Sequence, residues 1–182
     1  MRIGDSGRCS IWVAALIGAV ALSGCQTGSS GQGVKVVTVE KPFELTHKGG
    51  DPYDDCSSKR VRRVVELANR ARENKGLHPV HCAPDLTRVA RKHARDMCDK
   101  KYASHIGKDG RSPADRVEDA GIDYMAVGEN IAVGQPTSEE AHKGWMGSRK
   151  HRANIRHEKF SRLGVGFVDC GDQPHWVQVF AN

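Results

Sequence analysis

From Ser57 to Lys101 the apolar residues recur at every third or fourth position. Val61, Val64, Val65, Ala68 and Ala71 form one stripe, while Arg62, Arg63, Glu66 and Arg70 take the opposite side, which predicts an amphipathic helix. Ser57 or Ser58 supplies its N-cap, Asn74 marks its approximate end and Gly76 stops it. A second stripe, Leu86, Val89, Ala90, Ala94 and Met97, predicts a helix from Pro84, a favoured first-turn residue, to about Lys101. His93 lies beside that stripe and reads as a structural or surface histidine.

Shorter elements follow. Ser112-Pro113 opens a brief helix through Ala120 that Gly121 ends, and GENIAVG, Gly128 to Gly134, alternates as a short strand does. Thr137 with Glu140 three positions on has the pattern of a capping box and starts a helix that leads to Trp145 and Met146. RLGVGFVDC and HWVQVFA, joined through GDQP, read as an antiparallel hairpin. Helices around a small sheet make an α+β layer architecture.

The beginning of the chain has a different character. Arg2 and Arg8 precede an apolar run of twelve residues, Ile11 to Leu22. That is short of the roughly 20 residues a membrane span needs, but it suits the core of a secretory signal. The run ends in LSGC, which resembles the bacterial lipobox, so residues 1–24 read as a lipoprotein signal peptide and Cys25 as the lipidated first residue of the mature chain. Gln26, rather than aspartate, follows that cysteine, as in lipoproteins sent to the outer membrane. QTGSSGQG is a flexible polar tether, VKVVTVE a candidate short strand and KGGDPYDD another break. Residues 25–53 are therefore assigned to the lipidated cysteine and its tether, and residues 54–182 to one folded domain.

This origin changes how charge and cysteines are read. Losing residues 1–24 removes two arginines and one aspartate from a net charge of +6, leaving +5. A basic exported surface favours lipid headgroups or anionic envelope polymers, and the chain has no nucleic-acid motif. The partners expected are a membrane, reached through lipid on Cys25, and a lipid or anionic envelope-polymer ligand; nucleic acid is not among them. Of six cysteines, Cys9 leaves with the signal and Cys25 carries lipid, so Cys56, Cys82, Cys98 and Cys170 remain for two disulfides in an oxidising compartment. The chain has no C-x-x-C pair to support a zinc site made of these four. Cys82 and Cys98 flank the second helix, about 20 Å apart at 1.5 Å per residue, against the roughly 7 Å that a disulfide tolerates. Two connectivities stay open.

SHIGKDG, DRVEDAGI, GENIAVG, WMGSRKHRANI and the closing LGVGFV and HWVQVFA occur in that order over about Arg60 to Asn182. Together they resemble a bacterial member of the CAP superfamily, the SCP-like domain shared with cysteine-rich secretory, antigen 5 and pathogenesis-related proteins. The resemblance implies an α-β-α sandwich with a small central antiparallel sheet. It also implies a surface cleft lined by His105, Glu129 and His151, so that His151 faces the cleft while its neighbours Arg149, Lys150 and Arg152 turn to solvent. Two positions depart from the family pattern. Lys150 stands where glycine is usual, and the second acid of the cleft has no counterpart, since Asp115 and Glu118 lie near it but Arg116 sits closer to its spacing. In this family the LHPVHC segment joins the sheet that Cys170 also ends. The resemblance thus favours Cys82–Cys170 with Cys56–Cys98 over Cys56–Cys82 with Cys98–Cys170.

Two imidazoles and a carboxylate can hold a divalent metal such as zinc, or act as general acid and base. No persuasive nucleophile accompanies them. Ser104 adjoins His105 in sequence, and Ser148 lacks a G-x-S-x-G elbow. The reading that results is an exported, lipid-anchored, non-enzymatic envelope module that binds a lipid, sterol-like or other envelope ligand. A metal-assisted, peptidase-like hydrolase using His105, Glu129 and His151 is the alternative, and a cell-wall adhesion module the third. The site of action is the bacterial envelope, at the outer membrane.

Overall fold

The structure, a computed structural model, describes residues 56–171 and 173–182. The segment read as a signal peptide, Cys25 with its expected lipid, the expected tether and the VKVVTVE segment lie outside the described residues. Within them the chain runs α1 (Lys59–Glu73), β1 (His81–Cys82), α2 (Pro84–Asp99), α3 (Pro113–Asp119), β2 (Val127–Val133), α4 (Ser138–Gly147), α5 (Arg149–Ile155), β3 (Arg162–Val168) and β4 (His175–Ala181). The strands form one sheet in the order β1-β3-β4-β2. The β3–β4 hairpin and the β2–β4 pair are antiparallel, as the sequence predicts. The two-residue β1 adds to β3 in parallel, so the sheet is mixed rather than wholly antiparallel.

Alternation along the hairpin makes the two cores. Leu163, Val165, Trp176 and Phe180 face α1, α4 and α5, whose Val61, Val64, Ala68, Trp145 and Ile155 complete the first core. Val168, Val177, Val179 and Ala181 take the other face, against Leu86, Val89, Ala90, Ala94 and Met97 of α2. Gly164 and Gly166 lie on that second face, where a Cβ would come within 3.0 Å of the α2 backbone at Leu86 and Ala90. Glycine at these two places therefore lets α2 lie directly on β3. No helix among the described residues is long and apolar enough to cross a membrane.

The caps follow sequence chemistry. Ser112 and Asp115 form a reciprocal capping box on α3, and the Thr137 half of the box predicted for α4 is present. Ser148 ends α4 and caps α5, its Oγ accepting from the His151 N–H. Arg72, at the end of α1, is completely buried and donates to four carbonyls, those of His78, Ile155, His157 and Phe160. Burial lowers its pKa below the ordinary guanidinium value. This one guanidinium ties the end of α1 to the end of α5 and to the turn that enters β3.

The disulfides are Cys56–Cys82 and Cys98–Cys170, with Cα separations of 5.9 and 6.0 Å. This corrects the pairing that the family resemblance favoured, and strand register explains why. Cys82 lies opposite Leu163 near the start of β3, whereas Cys170 follows the end of that strand. Seven residues of extended chain separate those levels by about 23 Å. The α2–β3 contacts also bring Cys98 to Cys170. Leu86 sits over Gly164 and Ala90 over Gly166, so helix and strand advance together. Eight more helical residues, about 12 Å, carry Cys98 to the level four strand residues beyond Gly166.

Candidate functional site

Glu129 is the third residue of β2, an edge strand of the sheet. Alternation turns its side chain toward α2 and α3, and that of Asn130 toward α5. The Glu129 carboxylate is almost wholly buried, with its side chain 1% exposed. Oε2 accepts from Arg116 Nη2 at 2.8 Å, and Oε1 accepts from His105 Nδ1 at 2.8 Å. Since a carboxylate accepts, His105 carries its proton on Nδ1 and leaves Nε2 as the free ring nitrogen. The His105 side chain is half exposed, so that nitrogen is accessible from solvent.

Arg116 organises the segment around the carboxylate. Nη2 also donates to the His105 carbonyl at 3.0 Å, and Nη1 donates to the Arg111 carbonyl at 2.8 Å. One side chain of α3 thus neutralises Glu129 and fixes the 105–111 loop that carries His105. Arg116, the residue closest to the spacing at which the resemblance implies a second acid, thus sets a cation against Glu129. Asp115 instead serves the cap of α3.

His93 stands behind the carboxylate. Its Nε2 donates to the Ser104 carbonyl at 2.9 Å and lies 4.0 Å from Glu129 Oε1. Its pKa is lowered, chiefly by burial; Glu129 opposes the shift and Arg116 adds to it. His93 is therefore part of the support for the site, a role that an isolated position beside an apolar stripe does not disclose. Arg116 was discernible only as the residue nearest the missing acid.

His151 is the third residue of α5 and half-buried. Its pKa is also lowered, first by burial and then by the neighbouring His105, so the two imidazoles are within electrostatic reach of one another. Its helix is fastened to the sheet by amides that sequence reasoning did not single out. Asn130 Nδ2 donates to the His151 carbonyl at 3.1 Å and to Gln178 Oε1 at 2.9 Å. Asn154 Nδ2 donates to Asn130 Oδ1 and to the Glu129 carbonyl. The GEN and ANI segments therefore hold the two sides of the site in register.

The donor set can be judged against a metal. Both Glu129 oxygens are already engaged, one by a guanidinium that repels a cation. Two imidazoles remain, fewer than the three protein ligands of a catalytic zinc centre. Among the described residues, no three His, Cys, Asp or Glu side chains gather as a metal-holding group. The residues present do not fit a resident metal. The two serines near the histidines in sequence each accept a backbone N–H. Ser104 Oγ accepts from the Ile106 N–H, and Ser148 Oγ is committed as the α5 cap.

Comparisons with known proteins agree with this architecture. The Bacillus subtilis protein YkwD is 43% identical over 119 residues, covering 65% of this chain and 46% of its own length. The Bacillus subtilis membrane protein YlbC is 27% identical over 150 residues, covering 78% of this chain and 42% of its own. The chain thus spans less than half the length of these curated relatives. Among solved structures, an extracellular SCP-domain protein of Bacillus anthracis has a TM-score of 0.63 and 30% identity, covering 66% of this chain and 39% of that one. An outer surface protein of Borrelia burgdorferi shares the fold at a TM-score of 0.65 and 16% identity, covering 70% of this chain and 95% of its own. The family model for CAP, the cysteine-rich secretory protein family, matches residues 65–180, and the chain belongs to that family.

Proposed function

We propose that the chain is an exported CAP-domain protein, held at the envelope by lipid on Cys25, whose His105–His151 cleft binds an envelope ligand without turning it over. The observation that carries this reading is the state of Glu129. A carboxylate buried and engaged at both oxygens is not available as a general base toward a bound molecule. What remains for a ligand is acceptor capacity at His105 Nε2, the half-buried His151, and the apolar surface of Ile106, which is 50% exposed beside His105. That combination suits a lipid-like molecule with an apolar body and a hydroxyl to donate. Extracellular and membrane relatives support an envelope location.

The test is retention of an envelope lipid extract and of cell-wall fragments by the immobilised protein, read by mass spectrometry. The wild type should retain one component unchanged on long incubation, and His105→Ala/His151→Ala should lose it. Consumption of the component by the wild type and not by the variant would support a hydrolase instead. Equal retention by both would remove the cleft from the function. In cell fractionation Cys25→Ser should leave the membrane fraction; unchanged attachment would overturn the anchor.

A further inference from the structure

We propose that a second site, the groove between the start of α1 and the end of β3, binds an anionic polysaccharide strand. The groove has a volume of about 1120 Å³ and is lined by the first two turns of α1, by Arg91 and Arg95 of α2, by the turn that starts α4, and by Phe167 to Asp169. It opens beyond the ends of β2 and β3, whereas Glu129 lies near the start of β2. None of His105, Glu129 and His151 lines it. The proposal therefore does not depend on what the cleft binds.

Charge is the first argument. Among the described residues that line it, six side chains are basic and three acidic. Two of the acids, Glu66 and Glu139, are already paired with Arg63, at 2.8 and 2.6 Å. Lys59, Arg60 and Arg95 are exposed, and Asp169 is the described lining acid outside those pairs. Arg60 is stacked over the Phe167 ring, 4.5 Å from its centroid, which holds a guanidinium at the groove wall.

The second argument is that α1 begins against its own electrostatics. A helix N-terminus carries partial positive charge and is stabilised there by anions. The first turn of α1 nevertheless contains no acid and opens KRVRR, and Ser58 makes no side-chain cap bond. Positive ends of backbone and side chains are thus concentrated at one end of the groove. A bound anion would relieve that repulsion.

Shape selects the kind of anion. A planar bilayer cannot enter a concave groove, whereas a single extended chain can lie along it and present repeated carboxylates or phosphates. Cations spaced along α1, with Arg95 of α2 on the same groove, match a repeating charge better than a single small ion.

The test uses the full chain with polygalacturonate as the probe, neutral dextran as the control, and titration calorimetry at low and high salt. Binding to polygalacturonate alone, weakening between about 50 and 300 mM salt, is expected. Lys59→Gln/Arg60→Gln/Arg95→Gln should weaken it about tenfold, with an unchanged far-ultraviolet circular dichroism spectrum as the folding control. Asp169→Asn, which removes a carboxylate from the groove and keeps its acceptor oxygen, should strengthen it. His105→Ala/His151→Ala should leave it unaltered, so failure here and failure of the cleft reading are separable. Equal binding of dextran, indifference to salt, or wild-type affinity in the triple variant would overturn the proposal. Binding to anionic vesicles without binding to polygalacturonate would overturn it too, by giving the surface to a membrane.

Discussion

Replacing Arg116 by methionine tests the reading of the site most directly, because it removes a charge without emptying much volume. In the native protein the Arg116 side chain is 12% exposed and the Glu129 side chain 1%. Removing one partner of a buried ion pair costs about 3–5 kcal/mol, since the remaining charge is left uncompensated. The partial exposure of Arg116 argues for the lower end, about 3 kcal/mol, with lost bonds to the His105 and Arg111 carbonyls included. For a domain of this size that corresponds to a melting temperature about 10 °C lower at pH 7.5. Arg116→Lys should recover only part of the loss, because a single ammonium cannot reproduce the fork that reaches Glu129 and two carbonyls.

A second readout separates this electrostatic role from mere packing. His93 has a folded pKa below its ordinary 6.5, and Arg116 contributes to the depression. The unfolded chain therefore binds the extra proton first. Stability from this group is complete above pH 6.5 and is lost as pH falls through the folded pKa. His142 and His151, also depressed, act in the same direction. In Arg116→Met the His93 pKa rises toward its ordinary value, so the variant should lose stability less steeply below pH 6.5 than the wild type. Thermal melts from pH 7.5 downward measure both effects. A melting temperature within about 2 °C of wild type at pH 7.5, or a steeper acid loss, would refute the argument.

Other outcomes follow from the packing. Gly164→Ala places a Cβ against the α2 backbone, and overpacking there should cost about 1–3 kcal/mol, read by urea denaturation; a neutral effect would mean that α2 does not rest on β3. Arg72→Met strands four carbonyls, three of them at the end of α5 or just after it, and should lower stability by more than about 3 kcal/mol while increasing amide exchange over residues 155–160; unchanged exchange there would contradict the tie. Non-reducing peptide mapping should return Cys56–Cys82 and Cys98–Cys170. By chain entropy the second bridge, with a sequence separation of 72, should contribute about 4 kcal/mol, more than the first, with a separation of 26.

What could be read from the sequence, and what could not, divides by the range of the interaction. The stripes of α1 and α2 are properties of spacing, and the structure buries the residues they name: Val61, Val64 and Ala68 on one helix, Leu86, Ala90 and Met97 on the other. The hairpin is legible for the same reason. Its glycines alternate with Leu163, Val165 and Phe167, and position 164 faces a helix because position 163 faces the opposite core. The site is legible only in part, through its resemblance to a family. His105 and Glu129 do meet, but their relation is decided by Arg116 and His93, whose partners lie 11 to 36 positions away in the chain. The same limit applies to the cysteines. Helical rise alone shows that Cys82 cannot reach Cys98, yet the choice between the other pairings depends on which end of β3 each cysteine approaches. That register is set by Leu86 resting on Gly164, a contact 78 positions apart. One consequence reaches the chemistry of the family cleft. Arg116 cancels the charge of Glu129 and His105 takes its other oxygen, so this carboxylate presents no free anionic oxygen to a cation.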